Sequence, residues 1–123
     1  MTKIILVVED SLLILEMLST VLRAKGFEVE AAQDGYEALK ILDGRRIDLV
    51  ITDLIMPGLS GLEVARAVRN TTPYQTTPIL MLTTRSDAQA KKEGRDAGIT
   101  CWVTKPFKSE HLTTMILKML STK

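Results

Sequence analysis

The feature that most limits how this chain folds is a fivefold alternation of short apolar runs with helix-like stretches. Ile4–Val8, Ile47–Thr52 and Ile79–Thr83 are nearly continuous apolar runs, as strands covered on both faces require. Phe27, Val29 and Ala31 alternate with Glu28 and Glu30, the period-two pattern of a strand with one wet side. Ile99–Thr104 supplies a fifth strand. Between them lie helix signals. Ser11 to Lys25 reads as a helix closed by Gly26. Asp34 and Glu37 have capping-box spacing for a helix to about Asp43, with Gly44 behind it. Ser60 with Glu63 caps a third helix reaching about Asn70. Ser86 with Gln89 starts a fourth, which Gly98 ends; Gly94 inside it costs about 1 kcal/mol relative to Ala. Ser109 to Leu120 is the last, with Leu112, Met115, Ile116 and Met119 at helical spacing.

Strands alternating with helices predict an α/β fold, a doubly wound five-stranded parallel sheet between two helical layers. At 123 residues the chain fits one domain, residues 1–123, and it buries enough surface to fold without staples. Its net charge of +1 does not suggest direct nucleic-acid binding. The apolar run after Lys3 is interrupted by Glu9-Asp10, too short for a signal-peptide core or a membrane span. A single cysteine, Cys101, suits a reducing compartment. We therefore expect a cytoplasmic protein with no membrane contact.

Doubly wound sheets bind ligands beyond the carboxyl ends of their strands. Strand one ends in Glu9 and Asp10, strand three in Asp53, strand four in Thr83, and strand five in Lys105 followed by Pro106. Taken singly, each has a plain explanation. Asp10 before Ser11 can be helix capping, Asp53 turn chemistry, Thr83 a capping hydroxyl and Lys105 a solvated surface lysine. Their joint placement points elsewhere. Two carboxylates 4 Å apart repel by about 4 kcal/mol at an effective dielectric of 20. A hard divalent cation relieves that crowding, and a few carboxylates plus water is the habit of Mg²⁺.

The matching stretches are Val8-Glu9-Asp10, the run from Ile51 to Gly61 containing D-x-x-M-P-x-x-x-G, Leu82-Thr83-Thr84, and Val103-Thr104-Lys105-Pro106-Phe107. With these the chain resembles the receiver family of two-component response regulators, over essentially its whole length. The resemblance implies the flavodoxin-like sheet order 2-1-3-4-5. It implies Asp53 as phosphoacceptor from a sensor histidine kinase or phosphotransfer protein. Asp10, Asp53 and the backbone carbonyl of Ile55 would ligate Mg²⁺ or Mn²⁺ directly, and Glu9 mostly through water. Lys105 would pair with a phosphoryl oxygen, the bond before Pro106 would be cis, and Thr83 would hydrogen-bond the attached group. Trp102 stands where the family's switching aromatic turns inward; most relatives carry Tyr or Phe there. The plain alternative for Trp102 is an edge-strand aromatic packed over the last helix. The output face would be the fourth helix, fifth strand and fifth helix, carrying Lys91, Lys92, Lys108 and Lys118 toward an unspecified protein target.

Other classes fit less well. An FMN-binding relative of this fold needs a hydroxyl- and glycine-rich phosphate loop where Glu9-Asp10 stand. A haloacid-dehalogenase-type phosphatase needs a second Asp where Ile55 stands. A pseudo-receiver that acts without phosphate would not need the full set Asp10, Asp53, Thr83 and Lys105. We expect a signalling phosphoacceptor rather than a metabolic enzyme, monomeric or weakly dimeric, with no output domain in the chain. A receiver cut from a larger regulator is the alternative. His111 is expected on the surface, and Cys101 as a small buried hydrophobe.

Overall fold

The computed structural model describes residues 2–121. Five strands and five helices alternate: β1 Ile4–Val8, α1 Leu12–Ala24, β2 Glu28–Ala32, α2 Gly35–Ile41, β3 Leu49–Thr52, α3 Gly61–Arg69, β4 Ile79–Thr83, α4 Ala88–Ala97, β5 Cys101–Thr104 and α5 Ser109–Ser121. All strands pair in parallel, in the order β2-β1-β3-β4-β5. That is the expected doubly wound sheet.

Alternation along each strand divides the apolar side chains between two cores. Ile5, Val7, Leu49, Ile51, Leu80 and Leu82 face α1 and α5, where Leu18, Leu22, Leu112 and Ile116 meet them. Leu6, Val8, Val50 and Ile79 face the other way, onto Val64, Ala65 and Val68 of α3 and Ala38 of α2. A third, smaller cluster of Leu54, Met81 and Ala90 lies under α4. Fully burying a Leu or Ile side chain stabilises by about 1.5–3 kcal/mol, so these two layers carry most of the fold.

Several element ends differ from the sequence reading, each for a local reason. β3 starts at Leu49 rather than Ile47, because the Asp48 carboxylate accepts the Ile4 N–H at 2.8 Å and pairs with Arg46 at 3.1 Å. β5 starts at Cys101 rather than Ile99. The Ile99 N–H is used to close α4, donating to the Gly94 carbonyl at 2.9 Å, while the Thr100 hydroxyl accepts the Ile79 N–H at 3.1 Å. α4 is capped by Asp87, whose carboxylate accepts the Ala90 N–H at 3.1 Å, and not by Ser86. α2 stops at Ile41, and the Glu37 carboxylate reaches back to the Gln33 N–H at 2.7 Å instead of closing on Asp34. In β2, Ala31 is exposed and Ala32 buried: Ala31 lies at the open sheet edge beside α1, whereas Ala32 pairs with Val8 and joins the opposite core.

Two side chains that the sequence did not single out tie loops down. The buried Tyr74 hydroxyl donates to the Arg45 carbonyl at 2.7 Å and accepts the Gly44 N–H at 2.8 Å. Arg69, at the end of α3, donates to the carbonyls of Thr77 and Gly98, both at 2.7 Å. Burial pulls its pKa below the usual arginine value, but the guanidinium still finds carbonyl acceptors.

Candidate functional site

The chain reverses its direction of travel across the sheet between β1 and β3, with β2 on one side and β3, β4 and β5 on the other. A doubly wound sheet opens a crevice at that point, and the residues leaving β1 and β3 line it. The Glu9 N–H donates to Ala32 at 3.0 Å and the Asp53 N–H to Val8 at 3.1 Å, so both carboxylates are launched from strand-like backbone. Glu9, Asp10 and Asp53 each present an oxygen within 4.8 Å of the others. Glu9 is 2% exposed and Asp53 9%, whereas Asp10 is open to solvent.

Lys105 crosses to this pair from β5, two strands away from β3. Its Nζ lies 2.7 Å from Glu9 Oε1 and 2.8 Å from Asp53 Oδ2. The other oxygens are tied to backbone. Glu9 Oε2 accepts the Ser11 N–H at 3.0 Å, and Asp53 Oδ1 accepts those of Leu54 at 2.6 Å and Ile55 at 3.3 Å. Burial pushes the Glu9 carboxyl above its ordinary value, against the opposing pull of Lys105 and the Ser11 N–H. Burial works to lower the Lys105 pKa, but the hydrogen bonds and charges of Asp53 and Glu9 outweigh it and raise it.

Of the remaining expected residues, Thr83, Ile55 and Pro106 stand at or just past the carboxyl ends of β4, β3 and β5. Thr83 ends β4 fully buried, its hydroxyl accepting the Arg85 N–H at 3.4 Å. The Lys105–Pro106 peptide bond is cis, as is Thr72–Pro73. Ile55 exposes its side chain (57%) beside Asp53. Trp102 does not pack over α5; it lies against the Leu54, Met81 and Ala90 cluster on the α4 side. His111 is exposed and Cys101 half-buried rather than buried. Sequence reading missed Arg85 and Asp87, whose paired contacts at 3.1 and 3.0 Å join the β4–α4 turn. A charged pair two residues apart in a loop carries no periodic signal.

One cation thus serves two nearly buried carboxylates, with a third beside them, at the switch point of a 2-1-3-4-5 sheet. The family model described as the response regulator receiver domain matches residues 5–117. The chain belongs to this family. Among curated relatives, the receiver is 41% identical to response regulator MprA of Mycobacterium sp. (strain KMS) over 94% of this chain and 50% of that protein. It is 38% identical to the DNA-binding response regulator MtrA of Mycolicibacterium paratuberculosis over 91% of this chain and 48% of that one. The chain therefore spans about half the length of these relatives. The solved structure of chemotaxis protein CheY4 from Vibrio cholerae is 42% identical to the receiver, with a TM-score of 0.94 over 98% of this chain and 100% of that one. The protein is a receiver domain of two-component signalling. Among the described residues no helix is long and apolar enough to cross a membrane.

Proposed function

We propose that Asp53 accepts a phosphoryl group from a phosphohistidine on a sensor kinase or phosphotransfer protein. The observation that carries this reading is the shared Lys105 ammonium, 2.8 Å from Asp53 Oδ2 and 2.7 Å from Glu9 Oε1. Oδ1 of Asp53 is held by two backbone N–H groups, which fixes the carboxylate and leaves Oδ2 as the attacking atom. In the transfer, a P–O bond forms at Oδ2 while the donor's P–N bond breaks, and the leaving imidazole keeps the electron pair and takes a proton from solvent. Such transfers depend on positioning and electrostatics more than on covalent chemistry by the protein. Lys105 then turns from the carboxylate to a phosphoryl oxygen, and the Thr83 hydroxyl moves to donate to another. Water attack at phosphorus later returns the free carboxylate, so the chain supplies its own transfer and hydrolysis machinery.

The donor set also suits a hard divalent ion. Glu9, Asp10 and Asp53 carry three negative charges within reach of one another, and Lys105 offsets only one. Asp10, Asp53 and the Ile55 carbonyl would hold Mg²⁺ or Mn²⁺, with Glu9 acting through water. When bound, the ion neutralises the phosphoryl oxygens. Thr83 is the switch residue, and the face of α4, β5 and α5, with Trp102 in it, meets the downstream protein. The match to all of CheY4 and to half of MprA is compatible with two settings for this switch, alone or as the receiver part of a longer regulator. In either setting we read it as cytoplasmic, monomeric or weakly dimeric, and without nucleic-acid or membrane contacts of its own.

Intact-mass analysis after incubation with phosphoramidate and Mg²⁺ tests the reading. The wild type is expected to gain one base-labile phosphoryl group and Asp53→Asn none. An equal adduct in the variant, or none in the wild type, would overturn it.

A further inference from the structure

The loop between β3 and α3, residues 53–60, carries the Asp53 carboxylate and the Ile55 carbonyl. Its ends are tied to each other. The Leu54 N–H donates to Asp53 Oδ1 at 2.6 Å, and the Gly61 N–H donates to the Leu54 carbonyl at 2.9 Å. The middle of the loop is different. Pro57 and Gly58 are exposed, and Gly58 adopts a left-handed φ of +79°, a conformation glycine takes freely. A glycine has no side chain with which to anchor such a turn, so an anchor must come from a neighbour.

That neighbour is the first turn of α2. Two consecutive residues there meet two consecutive residues of the loop. A Cβ on Gly35 would stand 2.6 Å from Leu59 Cβ, and one on Gly58 would stand 2.8 Å from Cε2 of the Tyr36 ring. The backbone of α2 therefore lies against Leu59, and a corner of the Tyr36 ring lies over Gly58. The turn that presents them is itself fixed. Asp34 Oδ1 accepts the Glu37 N–H at 2.8 Å, and Glu37 Oε1 accepts the Gln33 N–H at 2.7 Å. Tyr36 is 57% exposed, so its ring covers the loop from outside and adds little to the core.

We propose that Tyr36 is a positioning residue for the ion, bracing Gly58 and so ordering the loop that carries the Ile55 carbonyl. The inference rests on the reading of Asp10, Asp53 and the Ile55 carbonyl as ion ligands. A carboxylate is drawn to a cation by its charge, and its side-chain torsions let it follow. A main-chain carbonyl is placed only by its backbone. Mg²⁺ demands near-ideal octahedral geometry, so a loop that samples many positions must be ordered on binding, at a cost in backbone entropy. A loop braced beforehand loses less, and the ion binds more tightly.

Mn²⁺ serves as the probe, its binding followed by loss of the free-ion electron paramagnetic resonance signal. Tyr36→Ala should weaken Mn²⁺ binding several-fold, whereas Tyr36→Phe, which keeps the ring, should bind as the wild type does. Alanine favours helix more than tyrosine does, so the substitution does not unwind α2 by propensity. Amide hydrogen exchange in metal-free protein supplies a second readout. Tyr36→Ala should speed exchange at Leu54 and Gly61, whose N–H bonds close the loop, and leave Val68 inside α3 unchanged. Unaltered Mn²⁺ affinity in Tyr36→Ala, an equal loss in Tyr36→Phe, or exchange quickened evenly through α3 would overturn the brace. A wild type that binds no Mn²⁺ would count against the ion ligands alone, since the metal-free exchange comparison still decides whether Tyr36 orders the loop.

Discussion

A methyl group added to Gly61 would strike the main-chain carbonyl of Asp53. The Gly61 N–H donates to the Leu54 carbonyl at 2.9 Å, so the start of α3 is laid directly against the backbone that carries Asp53. The glycine that ends D-x-x-M-P-x-x-x-G is there for this approach, not for an unusual φ angle. Gly61→Ala should therefore destabilise the fold by about 1–3 kcal/mol through overpacking. Urea unfolding would read this as a lower midpoint, and an unchanged midpoint would contradict the close packing.

The charges at the switch point predict opposite effects for two neutral substitutions in metal-free protein. Lys105→Met leaves Glu9 and Asp53 nearly buried and unpaired, a change that destabilises by about 3–5 kcal/mol. Asp53→Asn keeps the 2.7 Å pair of Lys105 with Glu9 and removes one repelling charge, so its melting temperature should rise by a few degrees. Mg²⁺ should stabilise the wild type and do little for Asp53→Asn. Thermal melts in chelator and in Mg²⁺ check all of this; the same direction of shift for both variants would contradict it.

Glu9 gives the site a pH dependence. Burial raises its carboxyl above the ordinary 4.5, and Lys105 only partly opposes this. The folded protein then holds the Glu9 proton more tightly than the unfolded chain does. Its contribution to stability is fully present below the unfolded value and is lost as pH rises through the raised folded value. Metal-free wild type should accordingly lose stability relative to Glu9→Gln as pH rises above the ordinary 4.5. Carbon-13 NMR of the Glu9 carboxyl should titrate above the ordinary value, and a midpoint below it would reverse the sign.

The cap of α4 separates Asp87 from Ser86. Asp87→Ala should cost about 1 kcal/mol and free the Arg85 guanidinium, whereas Ser86→Ala should leave stability unchanged. Chemical denaturation of the two variants reads the difference, and equal losses would restore Ser86 as the cap.

That contrast marks where the sequence was legible. Strand identity and the strand-end residues were readable because central strands such as Ile79–Thr83 must be largely apolar and charge can appear only where they end, whereas the sheet order came from the family resemblance. Ser60 and Glu63 were readable because the capping box has fixed spacing, and the structure contains both of its bonds. Asp87 was hidden because Ser86 and Gln89 have the same spacing and only the backbone path chooses between them. Ala31 was misassigned because small residues weigh little in a hydrophobic alternation, and Ala32, not Ala31, is the buried one. The placement of Trp102 was invisible for another reason. It depends on a main-chain carbonyl at Arg85 and on an absent side chain at Gly94, and neither leaves a mark in residue chemistry.

The most direct measurement is a crystal structure grown with Mg²⁺ and beryllofluoride. We predict density for a beryllofluoride group on Asp53, an ion among Glu9, Asp10 and Asp53, and Lys105 and Thr83 turned to the fluorines. An empty pocket, with Lys105 still bridging Glu9 and Asp53, would contradict it.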